Sequence, residues 1–264
     1  QGITMNNCSG YSPISIAEHA LALTLACSRF DKKRVGKLIK DMTIGIVGTG
    51  RIGLLAAEVF HRNGCKNVFG FDLMQTQPWF DKKGFEAAGG RFVDSLDELL
   101  AQVDVVSFHC NVTPEMRGML NAAMIGKMKP GTIIVNTARS ELFHEEDMLA
   151  ALGARKVSLG TDVYETFRDK GLLEALEALP NTAVTYHIAY RTGDALRDIA
   201  RMAIENIVKF ATTDKIVREI PEITKMKVEA IKAAEAAQPG VAALVAAEAE
   251  AKRARMAPGA SKFG

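Results

Sequence analysis

The sequence predicts an α/β fold built on a doubly wound parallel sheet. Three observations carry that expectation. Seven short apolar, β-branched runs recur between residues 43 and 186, helical candidates separate most of them, and the runs IGIV and TIIVN are continuously apolar rather than alternating. Strands covered on both faces by crossover helices need continuous runs, whereas a sheet with one wet face alternates.

Taken in order, residues 1–12 (QGITMNNCSGYS) read as a strand end and a turn. Ser12 and Pro13 then open an apolar helix, PISIAEHALALTLACSRF, because proline in the first helical turn gives up no hydrogen bond. A basic linker over roughly 31–41 follows. Its run Asp31-Lys32-Lys33-Arg34, like the later Lys252-Arg253-Ala254-Arg255, reads as solvated charge. Strands are expected at Thr43–Val47, Asn67–Phe71, Arg91–Val93, Val103–Phe108, Thr132–Asn136, Lys156–Gly160 and Ala183–Tyr186. Helices are expected at 51–63, 95–102, 121–128 and 145–152. A long amphipathic helix, about 193–211, comes after His187. Beyond Pro221 the composition turns to Ala, Glu and Lys, broken by Gln238-Pro239-Gly240, which predicts an added Ala-rich tail, helical or extended.

Bulk properties narrow the partners. The chain has 264 residues, 48% of them hydrophobic and 24% charged, enough for a sizeable core. A net charge of +2 gives no case for nucleic acid. No stretch approaches the ~18 continuous apolar residues of a membrane span. Cys8, Cys27, Cys65 and Cys110 show no CxxC spacing, so reduced thiols are expected, in a reducing compartment such as cytoplasm or an organelle interior, with no metal site.

The sharpest motif is TIGIVGTGRIG, residues 43–53, in which a strand runs straight into Gly48-Thr49-Gly50-Arg51-Ile52-Gly53 and then a helix. The three glycines serve separate purposes. Gly48 permits the tight turn, Gly50 lets backbone approach a pyrophosphate, and Gly53 permits close helix–strand packing. The helix N-terminus offers N–H groups and a positive dipole end to the phosphates. Asp72 ends the second strand, nineteen residues past Gly53. A carboxylate there accepts from ribose hydroxyls and repels a 2′-phosphate. This is the Rossmann dinucleotide fingerprint, and it favours NAD over NADP.

Three later segments are specific in order and spacing: VSFHCNVTPEMRGMLNAAMIGKMKPGTIIVNTARSELFHEEDMLAAL (106–152), GTDVYE (160–165) and TYHIAYRT (185–192). With GYSP…AEHALAL near the start, the chain over about 1–220 resembles the D-isomer-specific 2-hydroxyacid dehydrogenases, most closely their D-lactate dehydrogenase branch. The resemblance implies NAD-dependent hydride transfer between a D-2-hydroxy acid and a 2-oxo acid. It implies Arg139 as the group that grips the substrate carboxylate, a role that suits a planar guanidinium fork. It implies His187 as general acid/base, since imidazole titrates near neutrality. Asp162 matches the residue near the nicotinamide end. Thr49, Arg51 and Ile52 match the pyrophosphate loop, Cys110, Asn111, Thr137, Ala138 and Arg139 match positions lining the cofactor cleft, and Tyr11 is a candidate substrate contact. His19 and His109 are not assigned to the chemistry, and His61 and His144 read as surface residues.

The chain departs from the family pattern in places. The family carries a glutamate five residues after the aspartate matching Asp162, where this sequence has Phe167; Glu165, two residues earlier, is the candidate replacement. Asn111 stands where the family usually has proline. The half-domain that precedes GITMNN in the family is not part of this sequence. The expected organisation is therefore a remnant of the substrate domain at 1–12, a dinucleotide-binding domain at 13–192, a family helix at 193–220 and the tail at 221–264. The expected function is dehydrogenase, the alternative a catalytically impaired NAD-binding or structural subunit. Self-association as a homodimer, or docking into a larger assembly through the tail, is the corresponding partner expectation.

Overall fold

The computed structural model describes residues 8–32, 35–76, 80, 82–164 and 170–213. It has two compact units: one is Ser12–Leu196, and the described part of the other is Cys8–Tyr11 with Arg197–Thr213.

The larger unit holds a fully parallel sheet of seven strands: β1 (Thr43–Val47), β2 (Asn67–Phe71), β3 (Gly90–Phe92), β4 (Val105–Phe108), β5 (Thr132–Asn136), β6 (Val157–Thr161) and β7 (Thr182–Val184). Their order is β3-β2-β1-β4-β5-β6-β7. The chain winds outward from β1 in one direction, then returns to start β4 on its other side. A crevice therefore opens between β1 and β4 at the strands' C-terminal ends, where such sheets bind ligands. The helices are α1 (Pro13–Arg29), α2 (Arg51–Arg62), α3 (Lys82–Ala87), α4 (Leu96–Gln102), α5 (Ala122–Ile125), α6 (Glu145–Gly153), α7 (Lys170–Ala178) and α8 (Gly193–Thr213), which crosses from one unit into the other.

The continuous apolar strands feed two cores. Successive side chains of a strand point to opposite faces. Accordingly Ile133 and Val135 of β5 join Ala17, Ala20, Leu23, Ala56 and Phe60 beneath α1 and α2, while Ile134 joins Leu99, Leu142, Leu152 and Leu176 beneath α4, α6 and α7. Val105 and Val106 of β4 divide the same way. Both residues of each pair are buried, which is why these runs cannot alternate in polarity.

Strands β1, β2 and β5 fall on the expected residues, and the others shift by a residue or two. The shift in β4 has a visible cause: Val103 caps α4, and the Asp104 carboxylate turns back to accept from the Thr43 backbone N–H at 2.9 Å, so the strand begins at Val105. Two helices, α3 and α7, lie where none is expected. The linker departs from expectation as well. Asp31 is buried rather than solvated, and it pairs with Arg155. All four cysteines are free thiols.

In the smaller unit, the Asn206 amide donates to the Cys8 sulfur, and Ile204, Ile207 and Val208 are exposed. The tail at 221–264, Glu165 and Phe167 lie outside the described residues. Among the described residues no helix is long and apolar enough to cross a membrane.

Candidate functional site

The phosphate loop links β1 to α2. Gly48 has φ +86°, in the left-handed region, and a Cβ there would lie 2.7 Å from the Cys110 backbone nitrogen. So glycine is required twice over, by conformation and by the close approach of the β4 exit. At Gly53 a Cβ would lie 2.0 Å from the Gly48 carbonyl oxygen, which fixes how closely α2 can pack on the loop. Gly50 is different: a Cβ there would meet nothing within 4 Å. The three glycines thus stand in different surroundings. Two glycines are demanded by crowding, and the middle one faces open space where a bound group can come against backbone.

Gly50 caps α2 without a side-chain hydrogen bond, and the first turn carries no acidic residue. No acidic side chain of that turn competes with an anion for its free amides. Asp72 sits just past β2. Its Oδ2 accepts from the Thr49 N–H at 2.9 Å, and its Oδ1 from the Met74 N–H at 2.9 Å. Gln75, absent from the sequence expectations, accepts from the Asp72 N–H at 3.2 Å and donates to the Val93 carbonyl at 2.8 Å, which anchors the turn. The acid is therefore held on the phosphate loop itself. An open backbone cradle, a helix end free of acids and a carboxylate beside the loop together fit an adenine dinucleotide.

Beyond β4, Cys110 packs over Gly48, and Asn111 is exposed. Burial, reinforced by Asp72, pushes the Cys110 thiol up to about 11, so it is a protonated lining group rather than a nucleophile. His109 pairs through Nε2 with Ser107 Oγ at 2.9 Å and through Nδ1 with Thr137 Oγ1 at 3.4 Å. Burial lowers its pKa to about 4, leaving it neutral at physiological pH.

The β5 exit is shaped by Asn136, a second residue missing from the expectations. It is fully buried; its amide donates to the Arg139 carbonyl at 2.8 Å, and its Oδ1 accepts from the Ala138 N–H at 2.9 Å. This side chain folds 137–139 into a tight loop that presents Arg139 at the surface. The Arg139 guanidinium donates to the Ala138 carbonyl at 2.7 Å.

His187 follows β7 with φ +53°, a conformation that costs a non-glycine residue roughly 1–3 kcal/mol and persists only when its surroundings enforce it. Asp162, 1% exposed, supplies the enforcement. Its carbonyl accepts from the His187 N–H at 2.9 Å, its Oδ1 from the Ile188 N–H at 2.9 Å, and its Oδ2 from the Ala189 N–H at 2.9 Å. The observed partners of this carboxylate are protein groups: those two amides, the Thr185 hydroxyl and, at 3.6 Å, His19 Nε2. Thus Gly48–Gly53, Asp72, Cys110, Thr137–Arg139, Asp162 and His187 all lie at the C-terminal edge of one parallel sheet. Tyr11 belongs to the other compact unit.

The family model for the D-isomer-specific 2-hydroxyacid dehydrogenase NAD-binding domain matches residues 19–189. The chain belongs to this family. Those residues are its NAD-binding domain, and NAD is the cofactor. A 2-hydroxyacid dehydrogenase homolog of Haemophilus influenzae is 32% identical, over 79% of this chain and 69% of its own length. A D-lactate dehydrogenase of Lactiplantibacillus plantarum is 31% identical, over 81% of this chain and 70% of its own. The solved D-lactate dehydrogenase of Aquifex aeolicus, complexed with NAD and lactic acid, has a TM-score of 0.70 at 28% identity, covering 81% of this chain and 71% of that one. The chain spans about two thirds of the length of these family members.

Proposed function

We propose that this chain carries the hydride-transfer half of a dehydrogenase that interconverts a D-2-hydroxy acid and its 2-oxo acid. The observation that carries the reading is the strained His187, locked by a buried carboxylate at the same sheet edge as the phosphate loop. Strain held this firmly at a ligand-binding edge is a mark of a working residue.

When bound, the nicotinamide cofactor would supply the hydride chemistry at the substrate's C2. The chain's own groups do the rest. The amides of the Gly50–Gly53 turn would hold the pyrophosphate, and Asp72 would hold the adenosine ribose. Thr137, Ala138, Cys110 and Asn111 line the cleft. Arg139 takes the substrate carboxylate bidentately, giving up its contact with the Ala138 carbonyl, and draws charge toward the 2-oxo oxygen. His187 gives that oxygen a proton during reduction and removes it during oxidation. Asp162 acts through His187 by fixing its backbone. Glu165 is proposed to take the place of the family glutamate, replaced here by Phe167, as the acid that pairs with His187. Tyr11 is proposed as a further substrate contact. Residues 13–192 form the proposed NAD domain, with 1–12 a remnant of the substrate domain, 193–220 the family helix and 221–264 a tail available for assembly; the proposed assembly state is a homodimer.

The test is NADH oxidation by the full chain with pyruvate and a panel of 2-oxo acids. Turnover that falls by about 10²–10⁴-fold in His187→Gln and in Arg139→Ala supports the reading. No turnover across the panel, with NADH still bound, rejects it and leaves a nucleotide-binding subunit.

A further inference from the structure

Helix α1 reaches the histidine loop at two places. His19 Nε2 lies 2.9 Å from Thr185 Oγ1, and Ser15 Oγ lies 2.8 Å from Thr192 Oγ1. Ser15 and His19 are one helical turn apart and so share a face of α1. Thr185 and Thr192 bracket His187 on either side. The helix therefore grips both ends of the segment that carries the proton-transfer group.

The proton count along the first contact is informative. The Thr185 hydroxyl has one proton and donates it to Asp162 Oδ1 at 2.5 Å. Thr185 Oγ1 must then accept from His19, which fixes a proton on His19 Nε2. Burial lowers the His19 pKa against the opposing pull of Asp162, which favours the neutral ring as the donor. The relay runs from His19 Nε2–H to Thr185 Oγ1, from Thr185 O–H to Asp162 Oδ1, and from Asp162 to the three consecutive amides of His187, Ile188 and Ala189. Each link removes one rotational choice from the next. The threonine hydroxyl is aimed, the aspartate is oriented, and the left-handed turn at His187 is held.

We propose that His19 is a positioning residue for His187, acting through Thr185 and Asp162, with Ser15 and Thr192 closing the other end of the clamp. The proposal rests on the dehydrogenase reading for its consequence in catalysis, though not for its geometry.

The experiment uses the full chain, isotope-labelled, as His19→Leu and His19→Gln. Leucine fills the space and removes the donor, whereas glutamine places an amide N–H near the position of Nε2. In His19→Leu, amide hydrogen exchange at Ile188 and Ala189 should quicken about tenfold, with Ile46 and Ile134 in the sheet unchanged. The His187 ring resonances should move, and kcat should fall about tenfold with NADH affinity retained. His19→Gln should recover most of each effect. If His19→Leu does not fold, Thr185→Val cuts the same relay one step later and should give the same signature. Unchanged exchange and unmoved His187 ring resonances in the donor-free variant overturn the proposal, as does a glutamine variant no better than leucine. A wild-type chain with no turnover rejects the dehydrogenase reading, and the exchange and resonance results still decide the clamp.

Discussion

The two ends of the site are built by opposite means. The phosphate end is made by omission: Gly48, Gly50 and Gly53 lie within six residues, and two of them work because a single methyl group would collide with backbone. The histidine end is made by addition. His187 is held by polar links from Asp162, Thr185 and His19, up to 168 residues away, and its loop by a further link from Ser15 to Thr192. A cradle for backbone contact is encoded locally and tolerates no bulk. A strained side chain must be imposed from several elements at once.

The comparison can be broken hardest at Asp162. Asp162→Asn keeps the shape but turns an amide N–H₂ toward donors that now lack an acceptor. Hydrogen bonds to a buried charge, and donors left unpaired, make this worth about 3 kcal/mol of stability, read as a lower urea midpoint. His187 should leave its left-handed conformation, while NADH affinity changes little because the phosphate loop has no bond to Asp162.

The phosphate end breaks differently. Gly53→Ala pushes a Cβ into the Gly48 carbonyl at 2.0 Å, and since the obstacle is backbone, the helix must shift. Overpacking of this kind costs about 2 kcal/mol. Unlike Asp162→Asn, it should weaken stability and NADH binding together, because the same displaced turn serves both.

His109 lies between the two ends, at the β4 exit. Burial holds its pKa at about 4 in the folded chain, against 6.5 for the free side chain. The neutral form is favoured by folding, so this term costs nothing above pH 6.5. Stability should fall as pH drops from 6.5 toward 4, where the unfolded chain takes up a proton that the folded chain refuses, by at most about 3 kcal/mol. Denaturation midpoints at pH 7 and pH 4.5 check it: a His109→Asn variant should lose less stability over that interval than the parent.

Much of this was legible in the sequence, and what was not has a physical reason. Strands β1, β2 and β5 are continuous apolar runs punctuated by glycine or polar residues, so composition marks their ends. Helix α7 carries Leu172 and Leu176 at an i, i+4 spacing, a signal that helical periodicity can detect. Helix α3, KKGFEA, is six residues long with an interior glycine and forms chiefly to drive Phe85 into the core, which local propensity does not announce. At the site, the glycines and Asp72 are readable from spacing because their partners are near in sequence. Asn136 and Gln75 look like ordinary polar residues at strand ends, and only the loops they close reveal them. Asp162 is visible as a residue type in GTDVYE, but its job depends on a loop 25 residues later and on the first helix.

The smallest expected effect is the most discriminating. Gly50 differs from Gly48 and Gly53 in having open space where a Cβ would stand, and its φ of −66° is one that any residue can adopt. Gly50→Ala should therefore leave the urea midpoint within about 0.5 kcal/mol of the parent, as expected for a substitution that strains nothing. The methyl group would stand in the space that the pyrophosphate needs, so NADH affinity should fall about tenfold, equivalent to about 1.4 kcal/mol. Fluorescence titration with NADH beside urea denaturation separates the two quantities. A loss of stability without loss of affinity would mean that Gly50 is a packing glycine like Gly53. Loss of affinity alone would make this one position the place where the omission of a side chain serves the ligand rather than the fold.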